Sequence, residues 1–229
     1  MKWLSISTAE KGSSLAVVND DALVYEEYQT SEITHSKRLM PMIENVFERK
    51  LEINIKNIDA YAVARGPGNF TGIRIGISVI KALSYAMQKP ALGVSSLDGI
   101  AFQFLYSSNN VCAMIDARRK EVYCAFYKFK EGCLISKTNE MLLSPEKAVQ
   151  MAQSKTLFAG SGSKVYEDTI RKKADNPVIA NSFMNHVRAK ALVLSLYSNH
   201  FEKDNDINTY VKLSKDNLLE PSYIRKPDC

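Results

Sequence analysis

Glycine is concentrated in one part of this chain. Six of its ten glycines lie between residues 66 and 99, at Gly66, Gly68, Gly72, Gly76, Gly93 and Gly99. A short apolar run at residues 60–64 precedes Gly66-Pro67-Gly68, and a long apolar segment continues to Pro90. This pattern predicts a strand, a glycine loop (residues 66–72) and a helix that Thr71 caps and that ends before Pro90.

The glycine loop admits two interpretations. Gly66 and Gly68 permit backbone angles closed to other residues, and Gly72 and Gly76 leave room for another backbone or a ligand. One interpretation is an anion or phosphate site at the helix N-terminus, where free N–H groups and the helix dipole favour negative charge. The other is close packing of the helix against a sheet or another helix. The run matches neither the P-loop nor the dinucleotide pattern, so spacing alone leaves both open.

Hydrophobic periodicity predicts alternating elements on either side of the loop. Strands are expected at residues 2–7, 14–18, 22–28, 91–94, 111–116, 121–127 and 156–159. Helices are expected over residues 36–50 and 186–200, and others begin near residue 97, at Ser144-Pro145 and after Gly160-Ser161-Gly162. The polar break at residues 107–110 predicts two lobes, 1–106 and 107–229, and leaves the C-terminal helix free to pack back on the first. The whole indicates a mixed α/β protein.

Composition excludes several classes of protein. No window approaches eighteen uninterrupted apolar residues, and no signal sequence opens the chain, so we expect a cytoplasmic protein without a membrane segment. The four cysteines show no C-x-x-C spacing, which predicts reduced, mostly buried thiols and neither a zinc site nor a disulfide framework. The histidines, His35, His186 and His200, are solitary, so no metal site is expected.

Several motifs in order carry a family resemblance. Residues 66–76, Gly-Pro-Gly-Asn-Phe-Thr-Gly-Ile-Arg-Ile-Gly, resemble the GPGSFTGLRIG hallmark of the bacterial tRNA threonylcarbamoyladenosine biosynthesis family TsaB. Further matches begin at Lys81-Ala-Leu-Ser-Tyr-Ala, Gly93-Val-Ser-Ser-Leu-Asp-Gly-Ile-Ala and Ile115-Asp-Ala-Arg-Arg-Lys-Glu-Val-Tyr, and Glu220-Pro-Ser-Tyr-Ile-Arg resembles the closing EPxYLR. The hallmark falls on Gly66, Pro67, Gly68, Asn69, Phe70, Thr71, Gly72, Arg74 and Gly76.

The resemblance implies a fold and a function. The fold is the actin-like ATPase (ribonuclease H-like) fold, with two lobes that each hold a mixed sheet flanked by helices. The function is that of a non-catalytic scaffold that binds and activates TsaD, together with TsaE, in adding the t6A modification to position 37 of tRNA. The resemblance further implies that this chain alone binds no cofactor, and it leaves open whether a nucleotide binds at the interface with TsaD. It also leaves open whether the free chain is a homodimer or a monomer. Contact with tRNA is expected only through the complex.

Three positions support catalytic silence by the same resemblance. Actin-like ATPases generally carry a metal-holding Asp where this chain has Ser7, although TsaB proteins commonly keep that Asp without catalysing the transfer. The two metal-binding histidines of TsaD fall at Ser96 and Ile100. None of these three side chains supplies a carboxylate or an imidazole to a metal ion.

Two charged features stay open at this point. Asp116, followed by Arg118 and Arg119, suits a catalytic acid with phosphate-gripping arginines, and it equally suits a capped turn with an ion pair. The clusters at residues 118–120 and 171–173 lack aromatic neighbours, which favours solvated surface over an auxiliary contact with tRNA.

The partner surface is predicted on two helices, residues 36–50 and 71–88. Their apolar residues cover more of the circumference than one core-facing stripe needs. A helix after residue 97 is the alternative cover for the second of them. The residues predicted to contact a partner are Leu39, Met42, Ile43, Val46, Ile73, Ile77 and Ile80.

Two other functions remain as alternatives. One is an autonomous actin-like kinase or carbamoyltransferase whose ATP lies between residues 66–71 and 160–162; Ser7, Ser96 and Ile100 argue against it. The other is a stand-alone tRNA-binding protein, which would need a concentrated basic face that the net charge of +5 and the linear sequence do not show.

Overall fold

The computed structural model describes residues 1–51, 53–200, 211–212 and 219–225. The strands are β1 (Lys2–Ser7), β2 (Ser13–Asn19), β3 (Ala22–Gln29), β4 (Ala60–Gly66), β5 (Ala91–Ser95), β6 (Val111–Asp116), β7 (Val122–Lys130), β8 (Cys133–Lys137), β9 (Met141–Leu143), β10 (Leu157–Ala159) and β11 (Val178–Ile179). The helices are α1 (His35–Asn45), α2 (Phe70–Met87), α3 (Asp98–Ala101), α4 (Pro145–Gln150), α5 (Ser161–Val165), α6 (Glu167–Lys173) and α7 (Ala189–His200). A π-helical turn, Val46–Lys50, extends α1.

The chain forms two compact units. Unit 1 comprises Met1–Ser96 and Arg188–Ser222, and unit 2 comprises Leu97–Val187 and Tyr223–Cys229. The division at Ser96 corrects the expected boundary at residues 106 and 107. It falls earlier because α3 belongs with the second sheet: the Asp98 carboxylate accepts hydrogen bonds from the Tyr127 hydroxyl at 2.8 Å and the Lys137 ammonium at 2.7 Å.

Unit 1 is built on a five-stranded sheet in the order β3-β2-β1-β4-β5. The first three strands are antiparallel, and β4 and β5 run parallel to β1. This confirms the predicted meander and the predicted strand before the glycine loop. α2 packs on the face that carries Val63. α7 packs on the opposite face, where the Tyr197 ring meets Trp3 edge-on at 6.4 Å. The C-terminal helix therefore does lie with the first unit.

The N-terminus of α2 differs from the prediction in one detail. Asn69, not Thr71, is the capping residue, because its side-chain carbonyl accepts the N–H of Gly72 at 2.8 Å. Thr71 lies within the first turn and is exposed. The helix ends where Gln88 adopts the left-handed conformation, two residues before Pro90.

Unit 2 is built on a second mixed sheet in the order β11-β10-β6-β7-β8, with β9 also paired to β7. Its core contains Cys112, Met114, Val122, Cys124, Ala148, Val149, Phe158 and Ile170. Cys112 and Cys124 are free thiols there, and burial raises the pKa of Cys124 to about 12. Cys133 is exposed instead, and Cys229 lies outside the described residues. As predicted, Pro145 opens α4 and Ser144 caps it.

No helix among the described residues has the length and apolar content needed to cross a membrane.

Candidate functional site

The glycine loop packs directly against the turn that joins β1 to β2. A Cβ on Gly68 would lie 2.3 Å from the carbonyl oxygen of Ala9, and Gly68 has φ +152°. A Cβ on Gly72 would lie 2.0 Å from the carbonyl oxygen of Thr8, and one on Gly76 would lie 2.4 Å from the Thr8 hydroxyl. Side chains at these positions would collide with residues of that turn. Of the two interpretations left open by the spacing, close packing accounts for these glycines.

Hydrogen bonds hold the same two segments together. The N–H of Asn69 donates to the Ala9 carbonyl at 2.7 Å. The Thr8 hydroxyl donates to the Gly72 carbonyl at 2.7 Å. Within the first turn of α2, the N–H of Gly72 and the N–H of Ile73 both donate to Asn69. The β1–β2 turn is thus bonded to one side of the start of α2, while Phe70 and Thr71 stay exposed.

A half-buried His35 and a buried Arg38, both on α1, contact that turn. Arg38, 6% exposed, donates to the Ser13 hydroxyl at 3.1 Å and the Lys11 carbonyl at 3.1 Å. His35 Nδ1 lies 3.0 Å from the Arg38 guanidinium, and its Nε2 lies 2.9 Å from the Glu10 carbonyl. A guanidinium only donates and a carbonyl only accepts, so Nδ1 accepts, Nε2 carries the proton and the ring is neutral. Burial, and then the Arg38 charge, lower the pKa of His35.

The closing motif of the sequence returns to the glycine loop. The N–H of Ser222 donates to the Arg65 carbonyl at 2.7 Å. Gly66 has φ +116°, and a Cβ there would lie 2.6 Å from the Ser222 carbonyl oxygen. Gly66 and Ser222, which are more than 150 residues apart in the sequence, therefore meet inside unit 1.

The loop between β6 and β7 has an unusual backbone. Arg118, Arg119 and Lys120, which we call the basic turn, all adopt positive φ, at 58°, 54° and 59°. All three are exposed. The Asp116 carboxylate accepts the N–H of Arg118 at 2.9 Å, as a turn cap would. Of the two interpretations of Asp116, the structure supports the capped turn.

Arg225 also contacts the loop between β6 and β7. Its guanidinium donates to the Ala117 carbonyl at 3.0 Å and forms an ion pair with the Glu121 carboxylate. The N–H of Glu121 in turn donates to the Arg118 carbonyl at 3.0 Å. The last residue of the closing motif therefore fixes the conformation of the basic turn within unit 2.

The second glycine turn is also explained by packing. A Cβ on Gly160 would lie 2.2 Å from the Met114 carbonyl oxygen, and one on Gly162 would lie 3.0 Å from the Met114 Cβ. The N–H of Gly160 donates to the buried Asn185 side chain at 2.8 Å. The start of α5 is therefore pressed against β6.

The three positions compared with related catalysts are all inside the protein. Ser7 is 2% exposed at the end of β1, and Ser96 and Ile100 are fully buried. The N–H of Ala9 lies 3.4 Å from the Ser7 hydroxyl, and the Ser96 hydroxyl has no hydrogen-bond partner among the described residues. Within the described ranges, no three His, Cys, Asp or Glu side chains are grouped as metal ligands.

The residues predicted to contact a partner lie in the core of unit 1, which corrects that prediction. Each of them is at most 4% exposed: Leu39, Met42, Ile43, Val46, Ile73, Ile77 and Ile80. They are buried because α1 and α2 pack on each other and on the first sheet. The exposed sides of these helices carry other residues, among them Met40, Phe70 and Tyr85.

Sequence comparison gives the relatives of this chain. The family model described as TsaD, tRNA N6-adenosine threonylcarbamoyltransferase, matches residues 29–228. The tRNA threonylcarbamoyladenosine biosynthesis protein TsaB of Escherichia coli (strain K12) is 33% identical over 175 residues, covering 73% of this chain and 74% of that protein. TsaB of Bacillus subtilis (strain 168) is 27% identical over 173 residues, covering 74% of this chain and 75% of that protein.

Structural comparison agrees. YeaZ from Pseudomonas aeruginosa superposes with a TM-score of 0.77 at 27% identity, over 97% of this chain and 99% of that one. The ethanolamine utilization protein EutJ from Carboxydothermus hydrogenoformans has a TM-score of 0.52 at 8% identity, covering 85% of this chain and 89% of that one, a likeness of fold alone. With two mixed sheets flanked by helices, the expected actin-like ATPase fold is confirmed. The matched motifs, the extent of the alignments and the shared fold together show that this chain belongs to the TsaB family.

Proposed function

We propose that this protein is a non-catalytic subunit of the cytoplasmic machinery that makes t6A in tRNA, where it binds and activates TsaD together with TsaE. Its membership of the TsaB family is the observation that carries the proposal, because the relatives are named for threonylcarbamoyladenosine biosynthesis. The chemistry belongs to TsaD in this scheme. This chain contributes a folded surface that keeps TsaD in an active arrangement.

The packing of both glycine turns supports a role without catalysis. In unit 1, the backbone of Thr8 and Ala9 fills the space beside Gly68 and Gly72. In unit 2, the backbone of Met114 fills the space beside Gly160. These are the segments that an autonomous ATP-dependent enzyme would use for its nucleotide, and here their glycines serve close packing within each unit. We accordingly propose that the chain alone binds no nucleotide and that any bound nucleotide requires TsaD.

The surface proposed for TsaD is the exposed side of α1 and α2. On α2 the exposed positions Thr71, Arg74, Ser78, Ala82 and Tyr85 recur every three or four residues and so form one face. Tyr85 is 81% exposed, and the small side chains of Ser78 and Ala82 allow a partner helix to approach closely. An exposed aromatic side chain beside small residues on one helix face suits a protein partner.

Reconstitution tests the function. TsaD, TsaE and the enzyme that makes threonylcarbamoyl-AMP are combined with an ANN-decoding tRNA, and t6A is measured by mass spectrometry of the nucleosides. We expect at least a tenfold fall in t6A formation when this chain is omitted. We also expect no ATP hydrolysis by the chain alone. Hydrolysis that disappears in Asp116→Ala would establish an autonomous enzyme and overturn the proposal.

A pair of double variants tests the surface. Ala82→Glu with Tyr85→Glu should fold and lose binding to TsaD, because charges would enter an apolar contact. Met151→Glu with Val165→Glu changes two exposed apolar residues of unit 2 and is the matched control, which should still bind. Leu39→Glu with Met42→Glu should fail to fold, because both residues are buried. Full TsaD affinity in the first variant would place the interface elsewhere.

A further inference from the structure

The basic turn puts long cationic side chains where glycine would fit the backbone better. Three consecutive non-glycine residues have φ between 54° and 59°, a region that L residues other than Asn and Asp adopt reluctantly. Such conformations persist only where surrounding contacts enforce them, and Asp116 and Arg225 supply those contacts. A turn that needed only to reverse the chain would be served by glycine. The side chains are therefore what this position provides.

The charge around the turn is positive because its three cations and Arg225 outnumber the carboxylates of Asp116 and Glu121. The Asp116 carboxylate is bonded to the turn's own backbone and lies 3.4 Å from the Tyr166 hydroxyl. The Glu121 carboxylate is paired with Arg225.

The last turn of α6 brings further cations to the same neighbourhood. It carries Arg171, Lys172 and Lys173, and α6 packs on α4, which begins at Pro145. The pKa of the Glu146 carboxyl on α4 is lowered by its own backbone N–H, by the Ser144 hydroxyl and by the charges of Lys173 and Lys120. Helix α4 contacts both α6 and β7. Lys120 and Lys173, which are 53 residues apart in the sequence, therefore both lie near the Glu146 carboxylate, whose negative charge offsets part of theirs.

We propose that the basic turn and Lys173 form a contact surface for the phosphodiester backbone of RNA, and specifically for the tRNA whose modification is the proposed function on which this inference rests. Cations spread over a turn and a helix end match a row of phosphates, which carry one negative charge per nucleotide. The surface has no aromatic stacking platform among the described residues of the two segments, so it contacts the backbone and not the bases. It positions the tRNA without reading its sequence.

The test removes the charges and relaxes the backbone in one step. Arg119→Gly with Lys120→Gly should raise the melting temperature by about 2–4 °C, because glycine adopts positive φ without a steric penalty. The same variant should bind an unmodified ANN-decoding tRNA about tenfold more weakly or worse at about 0.1 M salt. The slope of log affinity against log salt should fall by about 1.5 to 2. Binding is measured by fluorescence anisotropy with the full chain, alone and with TsaD.

A matched control separates this surface from net charge. Lys128→Ala with Lys130→Ala removes two exposed cations from β7 of the same unit and should leave the tRNA affinity unchanged. The inference is overturned if the wild-type chain binds no tRNA, or if the glycine variant keeps the wild-type affinity and salt slope. Polyglutamate serves as a second probe that carries negative charge without phosphates. The inference is also overturned if the glycine variant loses binding to polyglutamate but not to tRNA, because the basic turn would then be a contact for an acidic protein.

Failure of the proposed function gives a different result. If the chain does not support t6A formation yet binds tRNA through the basic turn, the proposed function is wrong and the contact surface stands, because the titration of the free chain needs no partner enzyme.

Discussion

The glycine loop of unit 1 and the basic turn of unit 2 both contain residues with positive φ, but for opposite reasons. At Gly66 and Gly68 the chain uses glycine, because positive φ coincides with backbone of the same unit only 2.3–2.6 Å from where a Cβ would be. At residues 118–120 the chain has positive φ again, yet places two arginines and a lysine there in the open. The first site excludes side chains, and the second displays them.

The difference separates two reasons for an unusual backbone. Left-handed backbone costs an L residue about 1 kcal/mol or more, so the basic turn stores a cost that glycine would remove. At the glycines of the loop no such choice exists, because a side chain there would displace the backbone of Thr8, Ala9 or Ser222. We therefore expect the glycines of the loop to be sensitive to substitution, whereas the turn should tolerate glycine and lose only what its side chains do.

Gly72→Ala should have the largest effect. The new Cβ would lie 2.0 Å from the Thr8 carbonyl oxygen, and backbone cannot yield as a flexible side chain does. We expect a loss of about 3 kcal/mol in the free energy of unfolding, measured by urea denaturation. Thr71→Ala, at the exposed neighbouring position, is the control and should cost about 0.5 kcal/mol or less. An unchanged midpoint for Gly72→Ala would mean that the β1–β2 turn moves freely and that the contrast is false.

Arg225→Ala should have an intermediate effect confined to the basic turn. It leaves the part-buried Ala117 carbonyl without its donor and the Glu121 carboxylate without its cation. We expect a loss of about 1–2 kcal/mol and faster tryptic cleavage at residues 118–120. Lys130→Ala, an exposed cation of the same unit, should change neither quantity. Wild-type cleavage rates in Arg225→Ala would show that the turn holds its conformation without the closing motif.

The smallest effect should be a fall in the free energy of unfolding at acid pH that arises from His35, beside the β1–β2 turn. The folded-state pKa of His35 lies below its ordinary value of 6.5, so the unfolded chain binds the extra proton more readily. Stability should therefore be constant for this group above about pH 6.5 and fall as the pH drops toward the lowered pKa. His35→Gln should lack that component when denaturation midpoints are compared between about pH 5 and 7. A slope of equal size in both proteins would assign the acid sensitivity to other groups.

The local elements could be predicted because their patterns are local. The strand patterns placed β2 and β3 to within one residue at each end, and the apolar spacing did the same for α2. The prediction that Thr71 caps α2 was wrong because Asn69, two residues earlier, is an equally good cap residue, and propensity does not distinguish the two. Which of the two residues caps the helix depends on where the β1–β2 turn contacts it.

The contacts between distant segments could not be predicted. His35 and Arg38 form their hydrogen bonds with residues 10–13, and the spacing of residues in the sequence does not predict that these segments are neighbours. The predicted partner residues were wrong as a surface for a related reason. An apolar face on α1 or α2 looks the same in sequence whether it meets the chain's own sheet or another protein. The boundary at residue 96 likewise depends on Asp98 finding Tyr127 and Lys137.

The interrupted sequence of unit 1 has a consequence for the protein as it leaves the ribosome. When residue 187 has been added, both sheets have been synthesised, yet α7 and Ser222 have not. The core of unit 2 around Phe158 is then complete, whereas the sheet face that carries Trp3 still lacks its cover. Domains fold as units during synthesis, so unit 2 can close first. A chaperone that follows the nascent chain would therefore find its longest-lived apolar surface on the segment that was made earliest.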